Sequence, residues 1–221
     1  MHDLHFGLCG EGSPYVDRGC FEASMPALGP AGLAAQLRDG HVCGYCGFFS
    51  RKYQRCVGPA TERADDLTTA CIFCEQVLHV DLVPNMRSGI LIWLPEMTQA
   101  ALNRSMPELY VRRLKQDSVS DGARDIVARL QARRELAKSE FGSDEPEKLV
   151  DRLRRARPGE AARLMREGLR LLPLDRRIIR DGDLTYNEFP QILAYWRCAV
   201  GPLEQSVSQS FTDFELGLVA V

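Results

Sequence analysis

Four cysteines in two pairs carry the clearest chemical signal in the chain: Cys43-Gly44-Tyr45-Cys46 and Cys71-Ile72-Phe73-Cys74. Two thiolates three positions apart can hold one face of a tetrahedral metal ion, and a second such pair closes the other face. The 24 residues between the pairs exceed the usual knuckle spacing and leave room for a hairpin. Two redox pairs or four buried apolar thiols are the competing readings, and a lone Cys-x-x-Cys would leave them open. Two pairs around a hairpin favour a single structural zinc ion held by Cys43, Cys46, Cys71 and Cys74. With four thiols no position remains for water, so such a metal would hold the fold rather than act on a substrate.

The flanking residues say how the pairs are positioned. Gly44 and Gly47 beside Cys46 suit a tight knuckle whose backbone N–H groups turn toward sulfur, because glycine takes positive φ at little cost. Thr68 and Thr69 predict a capped helix beginning near Cys71, whose positive end favours thiolate at Cys71 and Cys74. Phe48-Phe49 and Tyr53 to Val57 are strand candidates, with a charged turn from Thr61 to Asp66. Knuckle, hairpin, helix is the order of a treble-clef, or ββα-zinc, unit. Cys56 reads as a buried small residue, and His79 as a ligand that four thiols do not need. His2, His5, Cys9 and Cys20 offer donors for a second site, but their spacing matches no motif, and packing or a frayed terminus is simpler.

Arg38-Asp39-x-x-x-Cys43-x-x-Cys46-Gly47 followed by Asp66-Leu67-x-x-x-Cys71-x-x-Cys74 resembles the frame of the HNH nuclease superfamily. That superfamily has a histidine ending the first strand as general base, an asparagine before the leucine, and often a histidine after the last cysteine. The matching positions fall near Arg55 and Cys56, at Asp66 and at Glu75, and none has the required residue. No histidine lies between Phe48 and Thr69. The resemblance therefore implies a frame without the base that activates water. No catalytic residue is assigned and no enzyme is expected.

A closer resemblance runs through Gly47-Phe48, Tyr53-Gln54, Leu67-x-Thr69-Ala70-Cys71-x-Phe73-Cys74 and Leu91-Ile92-x-Leu94-Pro95-Glu96-Met97-Thr98-Gln99-Ala100-Ala101-Leu102-Asn103. Arg170-Leu171-Leu172-Pro173 is a shorter echo. Together these strings, over about residues 34 to 140, are similar to the IcmJ/DotN family of the Dot/Icm type IVB secretion system. The resemblance implies a cytoplasmic HNH-like zinc protein, peripheral to the inner membrane through its partners. It would bind the C-terminal extension of a DotL-like coupling-protein ATPase, alongside other subunits of the coupling complex. The run from Leu94 to Ala100 is the most specific string, since nothing in a zinc ribbon requires it.

Length and composition bound these readings. A chain of 221 residues buries a core as one domain, or as a small domain with a helical companion. A net charge of −2 gives no global reason to expect nucleic acid. Cys9, Cys20, Cys56 and Cys198, outside the pairs, argue against a disulfide framework and for a reducing compartment. The longest apolar run, Gly89 to Leu94, is strand-sized and far short of a bilayer span. His2 to Phe6 lack the basic start and apolar stretch of a signal peptide.

Downstream elements follow from local patterns. Pro30 starts a short helix leading to the first knuckle, Leu4 to Cys9 reads as a short strand, and Gly89 to Leu94 as a strand against the zinc unit. Thr98 caps a helix through Leu102 and Leu109, with Pro107 able to kink or divide it. From Ser120 the chain reads as helical to the tail. Its breaks are at Gly142 and Pro158-Gly159, and a last leucine stripe runs from Leu164 to Pro173. Asp181 to Phe189 resembles the later half of an EF-hand loop. Arg177 and Ile179 stand where oxygen ligands belong, so a turn into a helix around Ile192 and Trp196 is the better reading.

Lys148 to Arg180 holds eleven basic and four acidic residues, whereas Asp181 to Val221 holds six acidic residues and only Arg197. A solvated helical face is the plain reading. An acidic protein segment suits it better than nucleic acid, because the arginines are not interleaved with aromatics. The expected architecture is α+β: an HNH-like (treble-clef, ββα-zinc) module over residues 1–96, a mainly α-helical region over 97–200, and an acidic tail over 201–221. The expected function is a non-catalytic, zinc-stabilised adaptor for the coupling ATPase. A divergent HNH-type nuclease and a nucleic-acid-binding zinc protein are the alternatives.

Overall fold

A computed structural model describes residues 1–9, 29–59, 63–114 and 118–203. Cys20 and the tail beyond Leu203 lie outside the described residues. Helix α1 (Pro30–Arg38) opens on Pro30, whose fixed φ and missing N–H suit a first turn. Gly40 (φ 59°) and His41 (φ 58°) then turn the chain back toward Cys43. Strands β1 (Gln54–Val57) and β2 (Thr68–Cys71) form an antiparallel hairpin in which Gln54 faces Cys71 and Val57 faces Thr68. Thr68 and Thr69 thus lie in a strand, where β-branched side chains pack well, and Cys71 itself caps the helix that follows.

After α2 (Ile72–Leu78) come α3 (Val83–Met86) and β3 (Gly89–Trp93). The helices α4 (Gln99–Arg112), α5 (Ser118–Ala132), α6 (Arg134–Glu140), α7 (Pro146–Arg155) and α8 (Glu160–Glu167) follow. Pro107 leaves α4 undivided. Thr98 Oγ1 accepts the Ala101 N–H (3.2 Å) at one end of α4, and near the other the Tyr110 hydroxyl donates to the Pro173 carbonyl (2.6 Å). Gly142 ends α6 with φ 94° and donates to the Ala137 carbonyl (3.2 Å). Residues Leu4 to Cys9 form no strand. They are tied to the end of α2 by Gly7, which donates to Val77 (3.0 Å) and accepts from Val80 (2.9 Å).

The expectation of helix through to the tail is corrected by three strands. Gly168 stops α8 at φ 122°, a left-handed conformation that a side chain would oppose. The next residues form β4 (Leu169–Pro173), antiparallel to β3, with Gly89 opposite Pro173 and Trp93 opposite Leu169. All five residues of β4 are buried, so both faces are covered and no alternation betrays the strand. Strands β5 (Ile178–Asp181) and β6 (Leu184–Asn187) then form a hairpin around Gly182 (φ 57°), where the EF-hand-like string lies, and lead into α9 (Phe189–Trp196).

One apolar cluster joins Phe48, Ile72 and Phe73 around the cysteines to Leu102 and Tyr110 of α4, Ile126 of α5, and Phe189 and Trp196 of α9. Phe73 stacks on Phe189 at 6.3 Å and meets Trp196 edge-on at 5.7 Å. Burying a side chain such as Phe189 contributes roughly 1.5–3 kcal/mol, and aromatic pairing about 0.5–1.5 kcal/mol more. A second cluster, with Val77, Leu91, Leu149, Leu164 and Leu171, packs about the β3–β4 pair.

Candidate metal centre

The first cysteine pair sits in a knuckle between α1 and β1. Cys43 N–H donates to the Phe48 carbonyl, and Gly47 N–H to the Cys43 carbonyl, both at 2.9 Å, with Gly47 at φ 72°. Gly44 N–H donates to the Thr69 carbonyl (2.8 Å), which docks the knuckle on β2. A Cβ at Gly44 would lie 2.7 Å from Thr68 Cγ2, so glycine permits the close approach. The second pair straddles the start of α2. Cys71 is its N-cap, and the Cys71 sulfur accepts the Cys74 N–H at 3.4 Å.

The four buried sulfurs lie within 4.8 Å of one another, with Cys46 and Cys71 3.6 Å apart. Tetrahedral zinc with Zn–S distances of about 2.3 Å requires sulfurs about 3.8 Å apart, so the donors fit a four-coordinate ion. Burial pushes the Cys71 and Cys74 thiols up, whereas hydrogen bonds from Cys46, Cys71 and Cys74 hold Cys43 far below the usual thiol range. Four such sulfurs become thiolates together only around a cation. Cys43, Cys46, Cys71 and Cys74 are thus positioned to hold a metal ion.

The string at the start of α4 acquires a physical reason. Gln99 Nε2 donates to the Leu171 carbonyl (2.8 Å) and Gln99 Oε1 accepts the Leu171 N–H (2.9 Å), so one side-chain amide pairs with β4 as a strand would. Gln99 Nε2 also donates to Asn103 Oδ1 (2.9 Å), and Asn103 Nδ2 donates to the Cys74 sulfur (3.3 Å). Gln99 and Asn103 are both buried. A donor aimed at a ligating thiolate steadies its charge and orientation. Asn103→Leu, which roughly preserves volume, should speed loss of metal to a colorimetric chelator by about tenfold or more. An unchanged release rate would remove Asn103 from the metal's support.

Of the positions that the nuclease resemblance singles out, Arg55 and Glu75 are buried, Cys56 is half-buried and Asp66 is exposed. Glu75 is 1% exposed and pairs with Arg177 at 3.0 Å, while Arg177 meets Glu188 at 3.2 Å. Arg55 lies 3.8 Å from each of the two carboxylates, completing a ring of two arginines and two glutamates. Asn187 Oδ1 fixes the approach by accepting N–H groups from Arg177 (2.8 Å) and Phe189 (3.1 Å). In the sequence Arg177 and Glu188 belong to the EF-hand-like string and to the basic and acidic stretches that meet there, and Asn187 before Glu188 is the local sign of a fixed turn. Cys56 donates to the Gly32 carbonyl (3.3 Å), and Asp66 lies 3.7 Å from Arg63.

Among the described residues, the group of metal-ligating side chains gathered closely enough to hold an ion is the four-cysteine cluster. His79 ends α2 outside it, the His2 ring lies 5.7 Å from Tyr45, and the Cys9 N–H donates to Asp81 (3.0 Å). No helix among the described residues is long and apolar enough to cross a membrane.

The class these features define is a four-cysteine metal-site protein of mixed helices and small sheets, its hairpin set between the two ligand pairs. No protein-family model matches the chain. It is 35% identical over 111 residues to the type 4 apparatus protein DotN of Legionella pneumophila, a stretch covering 48% of this chain and 52% of DotN. The chain thus spans about half the length of the curated relative it matches. This similarity agrees with the resemblance to the IcmJ/DotN family carried by the cysteine pairs and the Leu94 to Asn103 string.

Proposed function

We propose that this chain is a non-catalytic adaptor subunit of a Dot/Icm-type IVB secretion system, and that it binds the C-terminal extension of a DotL-like coupling ATPase. The observation that carries the reading is the similarity to DotN. The ring of Arg55, Glu75, Arg177 and Glu188 supports the absence of catalysis, since salt bridges engage Arg55 and Glu75, at or near two positions where the nuclease frame would carry histidine. The ion is zinc, held by four thiolates with no coordination position open, and its role is to fold the module of residues 1–96. The region 97–200 supplies the partner surface, and 201–221 an acidic tail. The protein works in the cytoplasm, peripheral to the inner membrane.

The test is a pull-down of the zinc-loaded protein with the purified C-terminal extension of the matching ATPase, with plasmid nicking assayed on the same sample. A stoichiometric complex that tolerates salt, without nicking, is expected. Nicking abolished by chelation, with no complex, would instead establish a divergent nuclease. Steeply salt-dependent DNA binding without cleavage would establish a nucleic-acid-binding zinc protein.

A further inference from the structure

A cleft of about 530 Å³ opens between the N-terminal segment, the start of α4 and α8. Arg166, Arg170, His2 and His5 line it against one carboxylate, Asp3, and its apolar wall includes Leu4, Ala100 and Met165. Arg170 is 5% exposed. Its Nε donates to the Met97 carbonyl (2.6 Å), and its Nη1 to the carbonyls of Leu169 (2.8 Å) and Met165. Its Nη2 donates to nothing among the described residues, and no carboxylate lies within ion-pairing distance. The carboxylate that acts on it from farther away, Glu96, is already paired with Arg133. Burial accordingly lowers the Arg170 pKa. A guanidinium buried with carbonyls alone is short of a counter-ion.

Two further features of the cleft agree. Exposed Arg166 makes no ion pair among the described residues. The backbone N–H groups of Gln99 and Ala100, in the first turn of the 14-residue α4, have no acceptor there either, because Thr98 satisfies only Ala101. The helix end adds partial positive charge at the same wall.

We infer that this cleft binds an acidic side chain of a partner peptide, with a neighbouring apolar side chain seated against Leu4, Ala100 and Met165. A bare inorganic anion would meet the nitrogens and leave the apolar wall wet, whereas alternating acidic and apolar side chains match both. The inference rests on reading the chain as a binding subunit. Its test omits the ATPase, so either can fail alone.

The probe is a short fluorescein-labelled peptide of alternating glutamate and leucine, followed by anisotropy at low and physiological salt. A glutamine–leucine peptide and inorganic phosphate serve as controls. Arg166→Glu reverses a surface charge, and Ala100→Asp places a carboxylate where the helix dipole welcomes it, so both variants should melt like the parent. Binding of the acidic peptide, weakened about tenfold or more by each variant and by glutamine replacement, is expected. Equal binding of the glutamine peptide, indifference to both variants, or no binding would overturn the inference. Phosphate binding with the same variant dependence, but without peptide binding, would reduce the cleft to a free-anion site and overturn it equally.

Discussion

Cys71→Ser should release the metal and leave the cysteine-bearing hairpin and α2 without a stable fold. Cys71 ends β2 opposite Gln54, caps α2 through its sulfur, and belongs to the four-sulfur cluster. Serine is among the best N-caps, so the substitution spares the capping role and isolates the ligand role. Structural zinc contributes about 10–16 kcal/mol of apparent binding free energy in small zinc-finger peptides, comparable to the whole stability of a typical domain, about 5–15 kcal/mol. Losing one of four thiolates therefore costs more than the rest of the module can offset. Elemental analysis should show no bound metal, and the thermal transition should fall by tens of degrees or vanish. A normal melting curve with no metal bound would refute the structural role.

Glu75→Ala should produce the second-largest loss, for a different reason. It leaves Glu188 as the one carboxylate of the ring against both Arg177, whose side chain is 3% exposed, and Arg55. Breaking a buried ion pair from one side costs about 3–5 kcal/mol, because the remaining charge keeps its desolvation penalty. At about 2–4 °C per kcal/mol for a chain of this size, the melting temperature should drop by roughly 10 °C. Replacing all four members together, as Arg55→Met, Glu75→Leu, Arg177→Met and Glu188→Leu, should recover much of that loss, since no charge is left unpaired. Neither variant should alter background DNA cleavage. Normal stability of Glu75→Ala would deny the ring a structural role, and a specific loss of cleavage would overturn the non-catalytic reading.

The two centres differ in how far a reader of the sequence can reach them. The cysteine pairs are legible because ligand spacing is local: a knuckle and a helix start each need only a few consecutive residues. Thr98 and Gly142 are legible likewise, since caps act within one turn. The ion ring is not, because Glu75 and Arg177 stand 102 positions apart, and a buried charge looks like a solvated one in the sequence. Strand β4 is hidden by its own burial. Leu169-Arg170-Leu171-Leu172-Pro173 shows no alternation, and its leucines extend the stripe of α8 across Gly168, the only stop signal. The run around Gln99 stands out as specific, yet its purpose depends on Leu171 and Cys74, which no local pattern can bring to α4.

The pairing of β3 with β4 also sets an order of events on the ribosome. Roughly eighty residues separate the two partners, and at about 5–20 residues per second they take on the order of 4–16 s to be synthesised. The four cysteines are complete before β3 is made, so metal can be captured while Gly89–Trp93 still has an unpaired edge. Such an edge of isoleucine, leucine and tryptophan is a template for pairing with other chains. A fragment that ends before Leu169 keeps that edge open permanently. Expression of the half that carries the four cysteines alone therefore calls for a solubilising partner or for β4 supplied in trans.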